Sequence, residues 1–160
     1  MTRRKLFGGA AVFLSFAMLI ASLSACKKPD IKIPLDVKGA KAVGSLHLEV
    51  VYDPSQYALL NVEKGKTFSD ALFEYDAASP GHVVIGMISG NGINGDGTLA
   101  VLTLQVKNKG EGRIIELANV VANSVSDLSE LPVHLTPATT SGKTTNGPVI
   151  EFPAVPEQEQ

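Results

Sequence analysis

The chain has 160 residues, 16 acidic against 14 basic, with one cysteine and no tryptophan. A chain of this size buries roughly two-thirds of its unfolded surface, enough for one core without staples, and a lone cysteine excludes an internal disulfide. No Lys/Arg cluster follows Lys28, so there is no basic footprint for nucleic acid or anionic lipid.

The chain opens as a secretory leader: Arg3, Arg4 and Lys5 are followed by an apolar run from Leu6 to Leu23. A run of this length also suits an uncleaved membrane helix, for which about 20 residues suffice. Leu23-Ser24-Ala25 directly before Cys26 resembles the bacterial lipobox. That resemblance implies cleavage before Cys26, acylation of its thiol and attachment to the cell envelope. Lys27, standing where an aspartate would favour inner-membrane retention, implies the outer membrane in a Gram-negative host and the cell surface otherwise. Three of the 14 basic residues leave with the leader, so the mature chain carries 11 against 16 acidic residues, a net charge of −5.

Beyond a short linker, alternation with period two recurs and no helical period is convincing. Ile31 to Val37 reads as a strand with Ile33, Leu35 and Val37 inward and Pro34 marking an edge. Leu46 to Tyr52 is the next strand, stopped by Asp53-Pro54, and Tyr57 to Val62 is a third. Phe68 to Tyr75 is ambiguous, because Ser69 to Phe73 suits a helical turn before a strand. Ser79-Pro80-Gly81 is a turn. His82 to Ile88, Leu99 to Val106, Arg113 to Val121 and Leu131 to Thr136 complete the strands. Short strands at this spacing predict an all-β sandwich. From Pro137 onward the Thr-, Gly- and Pro-rich sequence predicts a disordered tail. The alternative for it is that Val149 to Phe152 adds a strand to an exposed edge.

Two strings, Ser45 to Pro54 and Gly90 to Leu104, resemble the cohesin family, most sharply in Tyr52-Asp53-Pro54 and Asn94-Gly95-Asp96-Gly97-Thr98-Leu99-Ala100. The resemblance implies a nine-stranded jelly-roll β-sandwich, related to the sandwiches of carbohydrate-binding modules, that serves as a receptor for dockerin modules and is employed in polysaccharide breakdown. The chain then divides into a leader (1–25), the lipidated cysteine and linker (26–30), a cohesin-like domain (31–136) and the tail (137–160). In cellulosomal members one sheet face receives the dockerin helices. Carried over, the partner-binding positions are Ser45, His47 and Glu49 on one strand and Ile85, Met87, Ser89 and Gly90 on another. Ser45 and His47 depart from the Asn/Asp pair of well-studied members, which implies a different hydrogen-bonding code.

Alternation agrees for the first of these strands: with Leu46, Leu48, Val50 and Tyr52 inward, Ser45, His47, Glu49 and Val51 turn outward. On His82 to Ile88 both parities are apolar, Val84 and Ile88 on one and Ile85 and Met87 on the other. One set is surplus to a two-layer core, and is either covered by a loop or an interaction surface. Ile85 and Met87 are taken as the outward set.

No catalytic constellation is visible. His47, His82 and His134 fall on three different strands with no metal-ligand spacing beside them, and Asn91, Asn94 and Asp96 read as turn chemistry among glycines rather than a calcium loop. The acids are scattered, no Gly-x-Ser-x-Gly elbow exists, and Cys26 is consumed by lipid. No cofactor is called for. The rival to protein binding is carbohydrate binding, for which Tyr57 and Tyr75 are the candidate stacking residues. A third reading is an accessory lipoprotein of envelope or secretion machinery.

Overall fold

Two long strands, each bent in the middle, organise the molecule. The computed structural model describes residues 29–108, 114–141 and 144–153, so the leader and Cys26 lie outside the described residues. The strands are β1 (Asp30–Val51), β2 (Tyr57–Lys64), β3 (Leu72–Asp76), β4 (His82–Val106), β5 (Glu116–Ser124), β6 (His134–Thr136), β7 (Thr139–Ser141), β8 (Thr144–Asn146) and β9 (Val149–Glu151).

The register separates two layers. In the first, residues 30–36 of β1 pair antiparallel with residues 98–105 of β4, with β2 on one side and β9 and β6 on the other. In the second, residues 45–51 of β1 pair with 82–88 of β4, flanked by β3 and β5. Counting the halves of β1 and β4 separately gives nine strand segments in the two layers, with β7 and β8 as a separate ribbon. This is the jelly-roll sandwich expected from the sequence.

Alternation supplies the core. Ile33, Leu35 and Val37 from the first layer meet Leu46, Leu48 and Val50 from the second, and Val83, Ile85, Met87, Leu102 and Leu104 close the same cluster. Each fully buried aliphatic side chain contributes about 1.5–3 kcal/mol of transfer free energy.

The long strands cross between layers at residues 38–44 and 89–96, where the ladder register shifts. The Asx residues of that loop stitch the crossovers together: Ala42 N donates to Asn94 Oδ1 at 2.8 Å and Gly39 N to Asp96 Oδ1 at 2.7 Å. Asn94 also donates to Gly92 O, the local turn bond expected of it. Gly92 has a φ of 76° and lies so close to Ala42 that a side chain would touch its Cα.

Three expectations are corrected, and the ambiguity over Phe68 to Tyr75 is resolved as a turn before a strand. Pro34 is not on an edge strand, since β1 lies inside its layer. Its nitrogen faces the β9 side, as Asp36 N does in donating to Pro148 O, but β9 pairs only from Asp36 onward, so the missing N–H costs no ladder bond. The Phe68 to Tyr75 stretch is a turn, with Ala71 N donating to Phe68 O, followed by β3. Instead of Arg113 to Val121, the strand is β5, Glu116–Ser124; residues 109–113 lie outside the described ones. The tail is in part folded: β9 pairs parallel with Asp36–Lys38, and Ile150 is fully buried in the core. Gly147 makes the entry to β9 feasible, because a Cβ there would overlap Pro34 O. The strand proposed as the alternative for this segment is therefore present, added to the chain's own sheet.

Candidate functional site: the open face of the second layer

Directly opposed residues of an antiparallel ladder point to the same side, so the register maps the outer face of the second layer rung by rung. One rung is Leu72, Ile88, Ser45 and Asn123; the next is Glu74, Gly86, His47 and Val121; the third is Asp76, Val84, Glu49 and Ala118. Leu72, Ile88 and Val121 are exposed to 73%, 58% and 39%. Leu128, in the loop after β5, is also exposed, and its carbonyl accepts from Asn123 Nδ2 at 3.2 Å. Large apolar side chains held in water together on one sheet face mark an interaction surface.

Polar contacts fix the remainder of the face. Ser45 Oγ donates to Asn123 Oδ1 at 3.3 Å. Between the pairs His47–Val121 and Glu49–Ala118 the register slips by one residue, a bulge that sets Asn119 in the left-handed region at φ 51°. Its Nδ2 donates to Glu49 Oε2 at 2.8 Å, while His82 Nδ1 donates to Oε1 at 2.5 Å. These two bonds, His82 first, hold the Glu49 carboxyl below the usual carboxylate range, and the charges of His82 and His47 add to the effect. Glu49, Asp76, Ala78, Ser79, His82 and Val84 line a shallow hollow of about 310 Å³ at this end of the face.

The sequence-derived positions divide. Ser45, His47, Glu49 and Gly90 have the outward phase. Ile85, Met87 and Ser89 do not: all three are buried. The ladder shows why. Ile85 opposes Leu48 and Met87 opposes Leu46, both inward residues, so the outward set of this strand is Val84, Gly86 and Ile88. Because the strand is apolar on both parities, its phase could not be read from hydropathy alone. The signal available was the glycine pair Gly86 and Gly90, which contributes nothing to a core and so marks the outward parity. Leu72, Glu74, Asp76, Asn119, Val121 and Asn123 were also missed, since strand pairing alone brings them to this face.

The carbohydrate candidates are not brought together. Tyr57 is buried at the start of β2 in the first layer, which removes it as a stacking residue. Tyr75 is 47% exposed on β3, with its ring 6.4 Å from that of Phe73 and tilted by 47°. Among the described residues, no group of three or more His, Cys, Asp or Glu is placed to hold a metal ion.

A two-layer jelly roll with an open, partly apolar sheet face defines the class of β-sandwich modules. The chain belongs to the cohesin domain family, whose model matches residues 17–144; the cohesin domain is a non-catalytic protein-interaction module. The fold is similar to that of a non-cellulosomal cohesin from the hyperthermophilic archaeon Archaeoglobus fulgidus, at 21% identity and TM-score 0.57 over 82% of this chain and 85% of that one. It is also similar to the sixth cohesin of Acetivibrio cellulolyticus scaffoldin B, solved with a Cel5 dockerin, at 14% identity and TM-score 0.56 over 76% and 88%. A type I cohesin–dockerin complex from Clostridium thermocellum matches at 15% identity and TM-score 0.55 over 78% and 89%. No curated protein sequence matches the chain.

Proposed function

We propose that this protein is a lipid-anchored receptor that docks a dockerin-like protein module on the outer face of its second layer. The observation that carries the reading is the set of exposed side chains Leu72, Ile88 and Val121 on one sheet face of a cohesin domain, beside the polar positions Ser45, His47 and Glu49. Such a pattern, apolar anchors bordered by hydrogen-bonding groups, suits a partner helix pair laid across the strands. The dockerin complexes of the similar structures support the choice of partner.

Lipidation of Cys26 would hold the module at a membrane. Only Lys27 and Lys28 separate that residue from Pro29, whose carbonyl already accepts from Val106 N within the fold. Three residues span at most about 11 Å, so the domain would stand close to the bilayer surface. Several acyl chains are needed for stable attachment, since one chain alone binds marginally. A dockerin-bearing enzyme of polysaccharide breakdown held at the envelope fits this arrangement.

Isothermal titration with a dockerin-type module from the same organism tests the reading. Binding lost on Ile88→Asp or Leu72→Asp with the melting temperature unchanged supports it. Binding to glucans that is lost on Tyr75→Ala, with no protein partner affected by the face variants, would replace it by carbohydrate recognition.

A further inference from the structure

Resting on that docking reading, we infer that the partner seats a lysine or arginine side chain over Gly86, and that Gly86 and Glu74 together select the partner. Gly86 stands mid-face without a side chain. A methyl group added there would meet nothing within 4 Å, so the space above it is open. Its neighbours along β4 on the same side are Val84 and Ile88, and across the ladder are Glu74 and His47. With strands about 4.8 Å apart and a rise of about 3.3 Å per residue, the floor is roughly 10 Å from Glu74 to His47 and 13 Å from Val84 to Ile88. That is room for one long side chain lying against the sheet.

Chemistry selects which one. The two ends of the floor along β4 are aliphatic, whereas Glu74, Asp76 and Glu49 put three carboxylates around it, and none of the rung residues is Lys or Arg. Glu49 is engaged by His82 and Asn119, and Asp76 accepts from Ala78 N. The Glu74 side chain is exposed and has no hydrogen-bond or ion-pair partner among the described residues. A neutral apolar knob would leave that carboxylate unused, and an acidic one would be repelled. A lysine or arginine instead lays its aliphatic stem between Val84 and Ile88 and offers its charge to Glu74. A glycine amid such a face works as a steric filter, because a large side chain at this position would fill the seat.

The test is selection from a phage-displayed library of two-helix, calcium-loaded dockerin-type modules, randomised on their exposed helix faces, against the full chain in detergent. Binders should be enriched in Lys or Arg at one helix position and should weaken at high salt. Gly86→Leu, and separately Glu74→Gln, should each reduce their affinity by about tenfold or more. Gly86→Leu should leave the melting temperature unchanged or raised, since a Cβ there meets no atom within 4 Å and glycine is a weak strand former; if it falls, Glu74→Gln, a change on an exposed side chain, carries the test. Binders that are lost on Ile88→Asp but carry neutral or acidic residues throughout, or that ignore Glu74→Gln, overturn the basic seat and leave the docking face standing. A library yielding no binder sensitive to Ile88→Asp overturns the docking reading as well.

Discussion

Met87 and Ile88 are adjacent residues on one strand, of similar size and hydrophobicity, yet Met87 is 1% exposed and Ile88 58%. Truncating each to alanine therefore isolates the phase of the strand. Met87→Ala removes a side chain packed in the core and leaves a cavity, at a cost of about 2–5 kcal/mol. Ile88→Ala removes one that is mostly in water, and surface changes of this kind stay within about 0.5 kcal/mol. Against a typical total stability of about 5–15 kcal/mol, the first loss is severe and the second hardly measurable. Urea unfolding followed by far-UV circular dichroism reads both, a suitable probe since the chain has no tryptophan. Taking a loss of about 3 kcal/mol and a slope of about 2 kcal/mol per M, Met87→Ala lowers the midpoint by about 1.5 M, while Ile88→Ala moves it by about 0.25 M or less. Equal shifts, or a larger one for Ile88, would mean that the strand is phased the other way and that Ile85 and Met87 form the outer face.

Three further outcomes are expected. Ile150→Ala should destabilise the domain by about 2–5 kcal/mol in the same assay, because β9 contributes a fully buried side chain to the core; an unchanged midpoint would return residues 149–151 to a dispensable tail. Cys26→Ser should abolish incorporation of labelled fatty acid and release the protein from membranes, and a variant as labelled and membrane-bound as its parent would refute the anchor. Glu49 should titrate below its ordinary 4.5 in carboxyl NMR, and His82→Ala or Asn119→Ala should move it back up. Because its folded value is depressed, the stability linked to Glu49 is present above the ordinary carboxylate range and is lost as pH falls through the folded value.

The legible part of the fold was the part written in alternation. Leu46, Leu48, Val50 and Tyr52 fix their strand's inner side by themselves, and their neighbours Ser45, His47 and Glu49 follow to the outer side. The strand from His82 to Ile88 carries apolar residues on both parities, so only its pairing with Leu46 and Leu48 decides which side is inward. β9 was harder still. Three residues carry no period, and their partner strand lies more than a hundred positions earlier, a contact that no local pattern encodes. The apolar part of the docking face depends on the same kind of information, since Leu72 and Val121 join Ile88 and His47 only through cross-strand register. The Asn119 contact with Glu49 depends on a bulge, which the sequence marks only by an asparagine able to take a positive φ.

If a protein module docks on the outer face of the second layer, amide chemical-shift mapping will locate it there. Titrating the 15N-labelled protein with a dockerin-type module from the same organism should perturb Ser45, His47, Glu49, Leu72, Gly86, Ile88 and Val121 together, at rungs that the ladder brings side by side. Perturbations confined to the outer side of the first layer, around Asn61, Thr103 and Lys32, would contradict that docking, as would saturation with no change at the second layer.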